Sequence, residues 1–164
     1  MNKSFSIIVV SSLVIILGCS NPMLAQYQSS TESKELVMTA KGEFEIQLVP
    51  QSDKDFDMGR LTIEKTFSGD LTGNSKGQML SVRTVTEGSA GYVALEQVTG
   101  TLDGHSGSFY FQHSGTMNRG TAVATISVVP DSGKGELEGL TGTMVINNVA
   151  GQHSYEFTYS FSSP

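Results

Sequence analysis

Between Ala40 and Phe161, apolar and polar residues alternate in short runs, and glycine-bearing turns separate them. No other feature of the chain constrains the fold as much, because a period of two buries one face of a β-strand and cannot bury the stripe of a helix. The stretch "HSYEFTYSF" sets Tyr155, Phe157, Tyr159 and Phe161 against Ser154, Glu156, Thr158 and Ser160. "AKGEFEIQLV" does the same with Ala40, Gly42, Phe44, Ile46 and Leu48 against Lys41, Glu43, Glu45 and Gln47. "RLTIEKTF", "GYVALEQVTGTL", "SFYFQHSGTM", "TAVATISVV" and "LTGTMVINNV" continue the series. In "QMLSVRTV" the inward face is ambiguous, with Leu80 and Val82 opposed to Met79 and Arg83. Asp103-Gly104 suits a hairpin turn with positive φ, and Pro130-Asp131-Ser132-Gly133 stops a β-branched run. A single helical turn around residues 52–58 is the one departure from strand patterning.

The expected fold class is all-β, an antiparallel closed barrel of about eight strands, since short connections let consecutive strands pair with their neighbours. A barrel of that size is either filled by its own side chains or holds one small ligand.

Ahead of the alternating part, Lys3 and the apolar run of residues 7–17 have the make-up of an export signal and are too short to span a bilayer as a helix. Ile16-Leu17-Gly18-Cys19 resembles a lipobox. Residues 1–18 are therefore expected to be a lipoprotein signal peptide, Cys19 the lipid attachment point, 19–39 a flexible tether and 40–162 the barrel domain. The expected location is the cell envelope, lipid-anchored. A rival cleavage after Met23-Leu24-Ala25 would instead leave a soluble periplasmic or secreted protein. Cys19 is the only cysteine, which excludes an intrachain disulfide. The formal charge is −6 and becomes −7 once Lys3 leaves with the signal, so no basic excess exists to engage a phosphate backbone and nucleic acid is excluded as a partner.

"TFSGDLTGNSKGQML", "EGSAGYVALEQVTGTLDGHSGSFYFQHSGTM" and "VVPDSGKGELEGLTGTM" closely resemble the bacterial family called domain of unknown function 3224. The likeness runs from Ala40 to Tyr159. It implies a small barrel related in architecture to allene oxide cyclase, and it implies no activity, because function sits in sites grafted onto folds.

Few constellations in the chain carry chemistry. His105, His113 and His153 lack the paired spacing of a zinc site, and "GKGELEG" is a turn, so neither metal nor cofactor is expected. What stands out is a set of polar residues in apolar rows: Lys65 between Ile63 and Phe67, Glu96 between Ala94 and Val98, His113 after Phe111, and Arg83 beside Met79. Each has a plain structural explanation, such as a lysine stem lying on the core or Val93 and Leu95 facing inward in place of Glu96. Glu96 and His113 lie on consecutive strands, where hairpin pairing would bring carboxylate and imidazole together for proton transfer or ligand binding.

The leading expectation is a barrel that binds a small apolar or amphipathic molecule inside, with Lys65, Arg83, Phe109, Phe111, Tyr155 and Phe157 as candidate ligand-binding residues. The alternatives are an isomerase or cyclase using Glu96 and His113 as catalytic pair, and a structural or interaction protein with a solid core. The membrane is expected as a partner through the lipid anchor alone, and self-association stays open.

Overall fold

The structure is a computed structural model that describes residues 36–52 and 56–162. The expected signal peptide, Cys19 and the tether as far as residue 35 lie outside the described residues. Nine strands form in chain order: β1 (Met38–Gln51), β2 (Gly59–Gly69), β3 (Leu71–Arg83), β4 (Ala90–Leu102), β5 (His105–Asn118), β6 (Thr121–Val128), β7 (Lys134–Gly135), β8 (Leu140–Val149) and β9 (Gln152–Phe161). Every pairing is antiparallel, and β4–β5 together with β1–β9 closes eight of the strands into a barrel, in the order β1-β2-β3-β4-β5-β6-β8-β9. Closure pairs both edges of most strands, the exception being the seam between β6 and β8.

The connections are mostly as short as the glycine punctuation implies. Asp103 and Gly104 both take positive φ, 46° and 88°, giving the two-residue hairpin expected between β4 and β5. Ser52 and Phe56–Met58 carry no helix, so the helical turn expected there does not form among the described residues. The simple meander is interrupted once. After β6 the chain leaves the wall, the stub β7 pairs back onto β5 through Gly107 with Gly135, and β6 meets β8 at a single register pair, Ser127 with Thr143. That excursion carries Leu137, fully buried, into the barrel's end.

Alternation decides what fills the interior. Ala40, Phe44, Phe67, Leu71, Val98, Leu102, Phe109, Phe111, Leu140, Tyr155, Phe157 and Tyr159 are all buried in one cluster at the end where the chain enters β1 and leaves β9. The rings of Phe109 and Phe111 meet edge to face at 4.8 Å, and those of Phe111 and Phe157 at 5.2 Å, the arrangement that the ring quadrupole favours. Tyr155 accepts the Leu71 N–H at 2.8 Å, and Tyr159 hydrogen-bonds Asp103 in the β4–β5 turn, so this end is pinned as well as packed. The ambiguity on β3 resolves toward Met79 and Ser81 facing inward, with Leu80 and Val82 exposed.

Candidate functional site

Three of the residues that interrupt the apolar rows meet midway along the barrel. The register sets Lys65 opposite Ser75, Gly77 opposite Glu96, and Ala94 opposite His113, so inward positions on β2, β3, β4 and β5 converge on one spot. Lys65 Nζ donates to Glu96 Oε2 at 2.8 Å, and Ser75 Oγ donates to Glu96 Oε1. His113 Nε2 lies 2.9 Å from the same Oε2. That contact has the distance of an ion pair without the alignment of a hydrogen bond, and the nitrogen has no other partner. The side chains of Lys65, Glu96 and His113 are 4%, 0% and 5% exposed, so the cluster is dry. Lys65 Nζ also sits 4.9 Å from the centre of the Phe44 ring, where the π-face adds attraction for a cation.

Burial alone would raise the Glu96 pKa. The contacts with His113, Lys65 and Ser75 outweigh it and hold the carboxyl down to about 2. At neutral pH Glu96 is thus an ionised acceptor, occupied on both oxygens. A group that far from neutrality exchanges protons poorly with a substrate, and its role here is to balance Lys65 and to orient His113. Opposite Glu96, a Cβ on Gly77 would fall 2.9 Å from the Glu96 Cα, so glycine lets β3 and β4 approach where the carboxylate turns toward Ser75.

Beyond the cluster, toward the other end, the barrel is hollow. A cavity of about 900 Å³ is bordered by Leu61, Met79, Tyr92, Met117, Ile126, Met144 and Ile146, with Arg60, Arg83, Ala90, Gly115, Ala122 and Ala124 also on its wall. Its inner end reaches Met79 and Ile126, and Ile126 is the register partner of His113. Its size falls within the usual range for small-molecule pockets. Space is left because inward positions near the mouth carry small residues: Ser81, Ala90, Gly115, Ala122 and Ala124. Gly115 is used fully, since a Cβ there would fall 2.3 Å from the Tyr92 ring, which lies over it. A second hollow of about 900 Å³ runs along β1, β2 and β3 and touches Lys65 and Ser75. Its wall is mainly outward-facing Glu43, Glu45, Glu64, Thr66 and Lys76, side chains that water satisfies.

The chain matches the family described as "Protein of unknown function (DUF3224)" over residues 40–159. It belongs to that family. A crystal structure of a DUF3224 protein of unknown function from Shewanella oneidensis MR-1 is similar to it, with 44% identity and a TM-score of 0.74, covering 78% of this chain and 100% of that one. No curated protein matches the chain. The all-β barrel that the resemblance implied is therefore the fold of this DUF3224 chain.

In this DUF3224 barrel the candidate residues separate into three places. Lys65, Glu96 and His113 come together, and Val93 and Leu95, the alternative inward pair on β4, are 53% and 55% exposed. Arg83 stands at the cavity mouth. Phe109, Phe111, Tyr155 and Phe157, expected as ligand contacts, instead pack into the closed end, and none borders the cavity. Period two identifies the face of a strand and says nothing of height along the barrel. Ser75, Tyr92, Arg60 and Leu137 were not singled out from the sequence. Serine on an inward row between Gly73 and Gly77 was a faint signal for the first, and Leu137 lay in a stretch legible only as a turn. Among the described residues no group of three or more His, Cys, Asp or Glu side chains is placed to hold a metal ion.

Proposed function

We propose that this protein is an exported, lipid-anchored barrel that binds a small apolar or amphipathic molecule in its interior. The observation that carries the binding reading is the apolar cavity at one end of a barrel whose other end is solid. A protein that needed only a stable core would gain by filling that space, since unfilled apolar volume lowers stability. Native mass spectrometry of protein purified without denaturation tests the reading: a co-purified compound lost from a cavity-filling variant supports it, and a bare protein that takes up no apolar probe sinks it. Export and anchoring rest on residues 7–17 and on Cys19. Cys19→Ala should release the protein from membranes, because buried acyl chains at ~0.8 kcal/mol per methylene supply the attachment.

A second reading, an isomerase or cyclase, draws on the 2.9 Å approach of His113 to Glu96. With Glu96 ionised and doubly occupied, the proton-transferring group in that reading is His113, and Glu96 acts through it. Turnover of a bound compound that is lost in His113→Gln, with binding retained, would distinguish it from simple binding.

A further inference from the structure

Among the described residues, the charged side chains bordering the apolar cavity are those of Arg60 and Arg83, and no aspartate or glutamate borders it. In a chain of net charge −6 this is an uneven distribution. The two arginines lie at the same end of adjacent strands, Arg83 on the inward row of β3 and Arg60 on the outward row of β2, opposite exposed Leu80, with its side chain bordering the cavity at the rim. Neither forms an ion pair among the described residues, although Asp57 and Glu87 lie in the connections at that end. Arg60 Nε is buried and has no hydrogen-bond partner, an arrangement that costs free energy unless something outside the protein completes it. Arg83 is on the inward row of β3, two residues beyond Ser81 and level with Ala90 at the rim. One inward step deeper on β4, Tyr92 offers a hydroxyl with no partner among the described residues. Burial raises the Tyr92 pKa, so that hydroxyl is a neutral donor.

Below this polar rim the wall is Leu61, Met79, Ile126, Met144 and Ile146, with Met117 level with Ala90 at the rim itself. Methionines adapt to the shape of an apolar guest without demanding a particular one. An apolar bottom under an arginine-bearing mouth is complementary to a molecule with an apolar body and a single anionic head. Resting on the binding function proposed above, we infer that the ligand class is amphipathic monoanions, with the head group at Arg83 and Arg60 and the apolar body directed toward Ile126 and Met144. Guanidinium recognises carboxylate through paired, charge-assisted hydrogen bonds, which a neutral alcohol of the same length cannot match.

Isothermal titration of the protein at neutral pH with decanoate, decanol and decyltrimethylammonium tests this. Decanoate should bind about tenfold more tightly than decanol, the size expected of one charge-assisted contact, and the cation more weakly than either. In the Arg60→Ala/Arg83→Ala variant, with its melting curve confirming the fold, decanoate should fall to within about twofold of decanol while decanol affinity is unchanged. Equal binding of decanoate and decanol to the wild type, a preference that survives loss of both arginines, or tightest binding by the cation would overturn the head-group assignment and leave the cavity reading standing. Failure of all three probes to bind folded protein would overturn both.

Discussion

The two ends of this barrel are built from the same alternating strands and come out opposite in character. At the closed end the inward rows carry Leu71, Leu102, Phe109, Phe111, Leu140, Tyr155, Phe157 and Tyr159, with Leu137 inserted from the β6–β8 connection, and all of them are buried. At the open end the same rows carry Ser81, Ala90, Gly115, Ala122 and Ala124 among a few larger residues, and a cavity remains. Strand pairing and closure do not depend on side-chain volume, so a barrel can dedicate one end to stability and leave the other for a guest. Between them the Lys65–Glu96–His113 cluster holds charge on side chains no more than 5% exposed.

Truncation should expose this difference most strongly. Phe111→Ala should destabilise by about 3–5 kcal/mol in urea unfolding, because a fully buried ring leaves a cavity that the packed end cannot close. Met117→Ala, at a residue 38% exposed beside space already empty, should cost under about 1 kcal/mol. Similar costs for the two would mean that the ends are packed alike.

The middle layer should respond as a buried ion pair. Glu96→Gln leaves Lys65 without its counter-charge and should cost about 3–5 kcal/mol, whereas the double change Lys65→Met/Glu96→Leu should recover most of that loss. Acid should reproduce the single variant by degrees. The Glu96 pKa is lowered from about 4.5 to about 2 on folding, so its contribution, of order 3 kcal/mol, is complete above pH 4.5 and is lost as pH falls toward 2. Melting temperatures of wild type and Glu96→Gln should therefore converge between pH 5 and 2. Parallel curves would show that Glu96 is not specially stabilised.

Much of the face pattern could be read from the chain, because the rows of Tyr155, Phe157 and Tyr159, or of Phe109, Phe111 and His113, had only one periodicity that buries them. Lys65, Glu96 and His113 were each visible as misfits in an apolar row for the same reason. The approach of Glu96 to His113 was suggested by their consecutive strands, but the joining of Lys65 and Ser75 to them was not visible, since it depends on registers such as Lys65 with Ser75 and Gly77 with Glu96, which no single strand encodes. Both rows of β3 carry apolar residues, which is why Met79 and Leu80 were equal contenders until its neighbours set the face. The aromatic residues drew attention as cavity wall when they are core. The wall was marked instead by small residues at one end of each strand, a signal carried by what those positions lack.

The smallest stability effect belongs to the cavity itself. Ala124→Leu should leave stability within about 0.5 kcal/mol of wild type and weaken the binding of an apolar guest, because it narrows space that the fold does not use.

The most direct test of the hollow end is a titration followed through methionine methyl groups. Met79, Met117 and Met144 border the cavity, while Met38 packs against the closed end. In protein labelled with ¹³C at the methionine methyls and titrated with decanoate, the first three resonances should shift together and saturate, and that of Met38 should stay in place. Unmoved cavity methyls at saturating decanoate, or shifts of equal size at Met38, would contradict the account.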